Sequence, residues 1–178
     1  MKGNLRKIID SNGNTIIFVN DIIFKGKRNI DWNDVENYVK RYIGMFFEIA
    51  ETKDVVYIAK DFPDEFAGSN DTRRLRGAAA KAKANVSQAV PEIIEFATNR
   101  RFKENKNPKH NIDAKYGWYR YDTRVAIPVF SEVGDIERYN VFYMEMLIRH
   151  AEDGNLYMYD LINIKKETSN PLKPYAIR

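Results

Sequence analysis

The amino-acid sequence predicts an α+β fold in which an N-terminal hairpin and helices pack on a C-terminal antiparallel sheet. Three observations predict it: two β-branched runs meet at an Asn-Gly turn, the middle of the chain has helical spacing, and the last third alternates as three strands. At 178 residues, we expect a single domain. Its predicted parts are the hairpin (1–30), the helical and basic-loop region (31–115), the antiparallel meander (116–167) and a surface tail (168–178).

The N-terminal segment contains two short apolar runs, Leu5–Ile9 and Thr15–Phe24, that are rich in β-branched side chains. Branching at Cβ restricts the side-chain rotamers in a helix and suits the extended backbone of a strand. The intervening segment contains Asn12 and Gly13, and Asn-Gly is the pair most typical of a two-strand turn. The sequence therefore predicts a β-hairpin.

A helix is predicted from Trp32 to Ala50. Asp31 precedes it as an N-cap, because its carboxylate can accept a hydrogen bond from the first unpaired amides. The apolar stripe of this helix consists of Val35, Val39, Tyr42, Ile43, Phe46, Ile49 and Ala50. The following run, Asp54–Ala59, predicts a short buried strand.

The middle of the chain predicts a loop, two helices and a second loop. Residues 61–70 contain proline and glycine and predict a loop. An alanine-rich stripe predicts a helix over 72–89, and Pro91, which suits a first helical turn, predicts a second helix over 91–99. The charged stretch 100–114 has no apolar period and predicts a long loop.

The last third predicts a three-stranded antiparallel meander. Its strands are expected at Trp118–Phe130, Tyr139–His150 and Leu156–Lys165, joined by tight turns at 132–135 and 152–155. Side chains alternate between the two faces of a strand. In the second strand, the phenylalanine, methionine and isoleucine side chains share one face, which is the predicted core side.

Composition excludes several classes of protein. Hydrophobic residues make up 44% and charged residues 30% of the chain, as in ordinary globular proteins. There are no cysteines, which excludes disulfides, thiolate catalysis and cysteine-based zinc sites. No apolar run reaches the ~18 residues of a membrane span, and Met1–Ile9 lacks the apolar core of a signal peptide. We therefore expect a cytoplasmic protein with no membrane partner, no cofactor and no metal.

The positive charge is concentrated in the middle of the chain. Residues 72–115 contain eleven lysines and arginines and four acidic residues, so this window carries +7 and the remainder −3 of the overall +4. Such a region is suited to a nucleic-acid backbone, and the alternative is a solvated helix surface. The predicted nucleic-acid-binding residues are Arg73, Arg74, Arg76, Lys81, Lys83, Lys109, Lys115 and Trp118.

One face of the meander combines arginines with aromatic side chains. Trp118, Arg120 and Arg124 share a face of the first strand, and the alternation of the second strand places Glu145 and Arg149 beside them. Arginines can stabilise the charge of a phosphoryl transition state while a carboxylate moves protons. The alternative is a solvated face held by cross-strand salt bridges.

The two histidines, His110 and His150, are candidate proton carriers because imidazole titrates near neutral pH. His110 lies in the basic loop beside Lys109, and His150 ends a strand on the predicted apolar face. The alternatives are an exposed loop histidine and a hydrogen-bonded strand-end histidine. No spacing of the two is typical of a metal site.

Several strings in the chain resemble a domain of bacterial mobile elements. They are Gly77–Asn85, Pro91–Ile94, Lys109–His110, Ala114–Tyr121, Leu147–His150, Asp153–Asp160 and Ile164–Glu167, within a region of roughly 55–172. Together they resemble the large polyvalent-protein-associated domains of phages and conjugative elements, and are similar to the phage nucleases grouped with barnase, EndoU, colicin tRNases and RelE. The resemblance implies helices followed by an antiparallel four-stranded sheet and metal-independent RNA cleavage by 2′-hydroxyl attack.

Three functions therefore follow as expectations. The first is a ribonuclease-like toxin or effector, with candidate catalytic residues His110, Arg120, Arg124, Glu145, Arg149, His150 and Tyr159. The second is a non-catalytic nucleic-acid- or protein-binding module of a larger polyvalent protein. The third is a regulator whose arginine-rich side meets an acidic protein partner. Among nucleic acids, RNA is the expected partner ahead of DNA.

Overall fold

The computed structural model describes residues 6–26, 29–167 and 172. Within these residues the fold is mixed α+β, with eight strands in one sheet and helices that share a hydrophobic core with it. The strands are β1 (Arg6–Ile9), β2 (Thr15–Phe18), β3 (Phe46–Glu48), β4 (Val55–Tyr57), β5 (Thr98–Lys103), β6 (Trp118–Phe130), β7 (Ile136–His150) and β8 (Leu156–Lys166). The α-helices are α1 (Trp32–Val39), α2 (Phe62–Gly68), α3 (Asn70–Arg74), α4 (Gly77–Val86) and α5 (Val90–Glu95).

The predicted meander is confirmed and forms the centre of the sheet. Strands β6, β7 and β8 pair antiparallel in sequence order, and β7 begins three residues before the predicted Tyr139. The predicted core side is also confirmed, because Phe142, Met144, Met146 and Ile148 are buried together in the main core. Each such buried side chain contributes about 1.5–3 kcal/mol of hydrophobic stabilisation.

The N-terminal hairpin is confirmed, but the complete sheet is not purely antiparallel. Its order is β1-β2-β6-β7-β8-β4-β3, with β5 pairing against β6 outside this path. The pairs β2–β6 and β4–β8 are parallel. These two pairs were not predicted, because alternation of side chains identifies a strand without identifying its neighbour in the sheet.

The predicted helix from Trp32 to Ala50 is wrong beyond its first two turns. Asp31 caps α1 as expected, its side chain accepting a hydrogen bond from the Asn33 amide, but α1 ends at Val39 in a short 3₁₀ turn. Gly44 follows with a φ of +87°, a left-handed conformation that ends a helix. Of the predicted apolar stripe, Phe46 belongs to β3, and Ile49 and Ala50 follow that strand outside any helix.

The predicted loop over 61–70 is also wrong, since α2 occupies most of it. Phe62 and Phe66, one helical turn apart, are fully buried, and Pro63 lies in the first turn, where it needs no amide hydrogen. The two rings pack together with their centroids 5.4 Å apart and stabilise the helix. The proline and glycine in this segment had led to the prediction of a loop.

The two helices predicted next are shorter than expected. The helix over 72–89 divides into α3 and α4 because Arg76 is extended and Gly77 has a φ of +56°. The helix predicted over 91–99 ends at Glu95, and the predicted loop over 100–114 begins with part of β5, which pairs with β6. Tertiary pairing therefore overrides the lack of an apolar period here.

The predicted tail over 168–178 lies outside the described residues except for Leu172. The Leu172 backbone forms an antiparallel bridge with Tyr139 of β7. No helix in the described ranges is both long enough and apolar enough to cross a membrane.

Candidate functional site

The side of the sheet opposite the main core carries the predicted arginine-rich face. Its register places Arg120 across from Leu147, Asp122 across from Glu145, and Arg124 across from Tyr143. Strand β5 adds Arg101 beside Arg120. We call this surface the arginine face and define it by Arg101, Arg120, Asp122, Arg124, Tyr143, Glu145 and Arg149.

Every arginine of this face has a carboxylate partner. Arg120 pairs with Glu145 at 3.1 Å, and Arg124 pairs with Glu167 at 3.1 Å. Arg101 pairs with Asp122 at 2.9 Å. These cross-strand contacts compensate the positive charge that the sequence places here, so the face has little charge left over for an incoming polyanion.

Asp122 is the centre of the largest hydrogen-bond group on the arginine face. Its carboxylate accepts hydrogen bonds from the Tyr143 hydroxyl, from Asn99 at 2.8 Å and from Arg101 at 2.9 Å. Partial burial raises its pKa, but the three hydrogen bonds outweigh this and hold the pKa below the usual range. Burial and the same carboxylate raise the pKa of Tyr143, so its phenol stays neutral.

At one end of the arginine face, His110 lies among aromatic rings. Its Nδ1 is 3.0 Å from the Asp113 carboxylate, and its ring packs edge-on against Trp118 and Tyr159, with centroids 5.1 and 5.8 Å away. Within the described residues, its Nε2 has no hydrogen-bond partner. We call this group the His110 cluster and define it by His110, Asp113, Trp118, Arg149 and Tyr159.

A short capped turn holds His110 in place. A 3₁₀ turn over Pro108–His110 carries it, and the Asn107 side chain caps the turn by accepting a hydrogen bond from the Lys109 amide. Burial, together with the nearby carboxylate of Glu65, raises the pKa of Tyr159, so the phenol beside His110 is neutral. An imidazole with one nitrogen held by a carboxylate and the other free is suited to taking up a proton.

Arg149 is the cation of the His110 cluster, and it is 7% exposed. It donates to the Asp113 carbonyl at 3.0 Å, pairs with Asp61 at 3.2 Å and lies over the Tyr157 ring at 4.3 Å. A cavity of about 480 Å³ opens beside it. Because Asp113, Glu152 and Asp153 also line this cavity, its surroundings are acidic.

The predicted catalytic residues therefore do not share one hollow. His110, Arg149 and Tyr159 meet in the His110 cluster with Trp118, and Arg120 with Glu145 comes next along the sheet. Arg124 lies six residues from Trp118 on β6, which is roughly 20 Å along a strand. Beyond Arg124 the same side of the sheet becomes apolar, with Ala126, Val141 and Tyr139 in a second small core.

His150 lies apart from this cluster. Its Nε2 is 3.2 Å from the Gly154 carbonyl, and its ring packs against Tyr116 and Tyr119 on the other side of the strands. It is half-buried at the end of β7, as expected for a hydrogen-bonded strand-end histidine.

A second cationic region lies on α3 and the start of α4. Arg73, Arg74 and Arg76 are exposed and Lys81 is half-exposed, and none of the four forms a salt bridge with any described residue. Arg76 donates to the Arg73 carbonyl at 2.7 Å, which satisfies part of the end of α3. We call these four residues the helical basic surface.

Lys83 corrects the sequence analysis, which placed it in this basic surface. Its side chain is 0% exposed, and its Nζ donates to Asp160 and to Thr72, both at 2.6 Å. Ser69 donates a further hydrogen bond to Asp160 at 2.7 Å. Burial lowers the pKa of Lys83 and raises the pKa of Asp160 to about 6, which shows how costly it is to keep this pair away from water.

The remaining predicted cations differ in their surroundings. Lys109 is exposed and has no salt bridge with a described residue, whereas Lys115 pairs with Glu152 at 3.7 Å. The Trp118 indole donates to Asn105 at 3.4 Å. In the part of the chain that the structure describes, no group of three histidine, aspartate or glutamate side chains is placed to hold a metal ion.

Three acidic partners were not predicted from the sequence: Asp113 of His110, Asp61 of Arg149 and Asp160 of Lys83. Asp113 follows His110 by three residues in the chain, and this spacing was a usable signal. Asp61 and Asp160 gave no such signal, because their partners are distant in sequence. Comparisons of the chain with models of known protein families, with curated proteins and with solved structures find no match.

Proposed function

We propose that this protein binds the phosphate backbone of nucleic acid through the helical basic surface. One observation carries the proposal: the four cations of this surface have no salt bridge with any described residue, whereas each arginine of the arginine face has one. A cation that already holds a carboxylate must give it up before it can neutralise a phosphate. A cation that is free in water has no such partner to give up, and when it neutralises a phosphate, counterions are released from the nucleic acid, which favours association.

The start of α4 adds to this surface. Arg76 is its N-cap residue and its side chain makes no capping hydrogen bond, so the N-cap side chain leaves the first amides of the helix uncapped. Amide hydrogens at a helix start and arginine side chains both bind phosphate oxygens. Contacts of this kind fix a phosphate backbone without reading its bases.

The test is a salt series. Binding of a labelled single-stranded RNA, and of DNA of the same sequence, is measured by fluorescence anisotropy between 50 and 200 mM salt for the wild type and for the double variant Arg73→Ala/Arg74→Ala. Loss of two phosphate contacts lowers the slope of log affinity against log salt by roughly 1.4 for a single strand. Tighter binding of the RNA than of the DNA would support the expected preference.

The matched control is the double variant Arg120→Ala/Arg124→Ala, which also removes two arginines but takes them from the arginine face. We expect its affinity to stay within about twofold of the wild type. If the control loses the slope and the helical variant keeps it, the nucleic acid binds the sheet and the proposal is wrong.

A second candidate function is metal-independent RNA cleavage at the His110 cluster, favoured by the free Nε2 of His110 beside a neutral Tyr159 phenol. His110 would take the proton of the 2′-hydroxyl that attacks the adjacent phosphate, and Tyr159 would return a proton to the leaving 5′-oxygen. The α+β architecture and the resemblance to phage nucleases support this candidate. The acidic cavity beside Arg149 works against phosphate binding there, which is why it ranks second.

Cleavage is tested with labelled RNA in EDTA, with 2′,3′-cyclic phosphate ends as the product. His110→Gln should abolish the product, and His150→Gln, at the other histidine, should not. Equal loss in both variants, or no product from the wild type, would leave nucleic-acid binding as the function.

A further inference from the structure

A cavity of about 730 Å³ lies where the β2–α1 connection, α4 and the far ends of β6 and β7 meet. Its floor is apolar, formed chiefly by Ile22, Ile127, Phe130 and Phe142. This volume is in the range of sites that enclose small organic molecules, which are also mostly apolar with a few polar groups. The cavity is distant in the fold from the His110 cluster, which lies at the opposite ends of β6 and β7.

One polar atom on the wall of this cavity is unsatisfied. Asn140 pairs across the sheet with Ile127, so its side chain lies on the cavity side of β7 beside Phe142. Its Oδ1 is buried and accepts no hydrogen bond from any described residue. Such buried acceptors are rare because losing water without gaining a partner is unfavourable, and a ligand donor is one way to satisfy them.

The mouth of the cavity is cationic. Lys25 from the β2–α1 connection and Lys81 from α4 both line it, and neither forms a salt bridge with a described residue. Asp21 is the acidic residue of the lining, and its Oδ1 is occupied by the Ile22 amide at 2.8 Å. The opening therefore favours an anionic group, while the floor favours an apolar body.

We propose that this cavity binds a compact amphiphilic anion. Its apolar ring system or branched chain would pack on Ile127 and Phe142, an N–H or O–H donor would reach Asn140 Oδ1, and a carboxylate, sulfonate or phosphate would remain at the mouth beside Lys25 and Lys81. Three separate features favour this class of ligand: the apolar floor, the unsatisfied acceptor and the unpaired cations.

The probe for this site is 8-anilinonaphthalene-1-sulfonate, which combines two aromatic groups, one N–H donor and one sulfonate. Its neutral counterpart is N-phenyl-1-naphthylamine, which keeps the rings and the N–H and lacks the sulfonate. Fluorescence titration of the wild type should give one site per chain for the sulfonate. Near-ultraviolet circular dichroism of each sample checks that the protein is folded, since this dye also binds partly unfolded chains.

Three variants test the three features. Ala78→Trp, which fills the mouth from an exposed position of α4, should abolish binding of both probes. Asn140→Leu should weaken the sulfonate about tenfold, the effect of one lost hydrogen bond. Lys25→Ala should weaken the sulfonate several-fold and leave the neutral probe unchanged, and Lys60→Ala, which removes an exposed lysine outside the cavity, should change neither.

The outcomes separate this inference from nucleic-acid binding. Lys81 belongs to both sites, but the substituted residues Lys25, Asn140 and Ala78 are not in the helical basic surface, so dye binding and RNA binding can fail independently. A folded wild type that does not enhance the dye, a folded Ala78→Trp variant that still binds it, or equal losses from Lys25→Ala and Lys60→Ala would each overturn the inference.

Discussion

Two lysines on α4 show what separates the two cationic regions of this protein. Lys81 is half-exposed and has no acidic partner among the described residues, whereas Lys83, two residues later, is fully buried against Asp160. The same contrast holds between the helical basic surface and the arginine face. The density of basic residues along a sequence therefore does not give the charge that a surface presents, because the carboxylate partners decide it.

The physical origin of the difference lies in the two kinds of secondary structure. Diagonal neighbours on adjacent strands lie within reach of long side chains, so Arg120 on β6 pairs with Glu145 on β7. On α3 and the start of α4 the side chains of Arg73, Arg74 and Arg76 project into water, and the acidic residue nearest to them in sequence, Asp71, forms no salt bridge with a described residue. Four predictions test this contrast, from the largest expected effect to the smallest.

The largest effect is expected for Lys83→Met compared with Lys81→Met. Removing Lys83 leaves Asp160 buried without its partner, which costs about 3–5 kcal/mol of the free energy of unfolding. Removing Lys81 changes it by less than about 0.5 kcal/mol, because that side chain has no partner to leave behind. Urea denaturation of both variants measures the difference.

The double variant Lys83→Met/Asp160→Leu is the control for this prediction. It removes both charges and should recover most of the lost stability, since an apolar pair of similar volume often replaces a buried salt bridge without loss. A double variant as unstable as Lys83→Met would mean that packing, and not the unpaired carboxylate, causes the loss.

The second prediction concerns pH. Burial raises the pKa of Asp160 to about 6 from an ordinary 3.8, so between these values the folded protein holds a proton that the unfolded chain has released. This contribution to stability is complete below pH ~4 and is lost as pH rises through about 6. The stability of the wild type relative to Asp160→Asn should therefore fall by roughly 2 kcal/mol between pH 4 and 6. A difference that stays flat, or rises with pH, would show that Asp160 is charged throughout.

The third prediction compares two carboxylates of the arginine face. Asp122→Asn removes the charge that receives hydrogen bonds from Tyr143, Asn99 and Arg101, and should cost about 1–2 kcal/mol. Glu167→Gln breaks a more exposed pair with Arg124 and should cost less than about 1 kcal/mol. Thermal unfolding at pH 7 measures both, and a reversed order would show that the Asp122 group does not stabilise the sheet.

The smallest effect is expected for Glu145→Gln, which frees Arg120 from its partner. If unpaired cations are what bind nucleic acid, the arginine face should now contribute one contact, and the salt slope should rise by up to about 0.7 for a single strand. Asp64→Asn, which removes an exposed carboxylate that has no salt bridge with a described residue, should not raise it. If the salt slope of Glu145→Gln is unchanged, pairing with carboxylates is not the reason that the arginine face does not bind nucleic acid.

The parts of the fold that the sequence predicts well are those stabilised locally. Strands β6 to β8 pair with their sequence neighbours, so alternation and tight turns were sufficient to place them. Helix α2 was missed because its stability comes from burying Phe62 and Phe66, which outweighs the proline and glycine in its sequence. Strand β5 was missed because it is stabilised by pairing with β6, and its own charged sequence has no apolar alternation that would predict a strand.

The candidate site was predictable to the same extent. Alternation correctly put Arg120 and Arg124 on one face, and Glu145 beside Arg120, since these depend only on register. The salt bridges of Arg124 with Glu167 and of Arg149 with Asp61 were not predictable, because these carboxylates come from distant parts of the chain. Lys83 was misplaced for the same reason: its partner lies 77 residues later, on a strand that only the folded chain brings to α4.

The parallel pairs at both sides of the meander have a consequence for how the chain is made. Ile17 and Phe18 of β2 pair with Val125 and Ala126 of β6, residues that a ribosome adds roughly a hundred positions later. At roughly 5–20 residues per second, the early hairpin waits about 5–20 s for its neighbour. During that interval its unpaired edge is open to other nascent chains, and strand edges of this kind promote aggregation. Slow translation before Val125 should therefore lower the soluble yield of this protein more than slow translation after it.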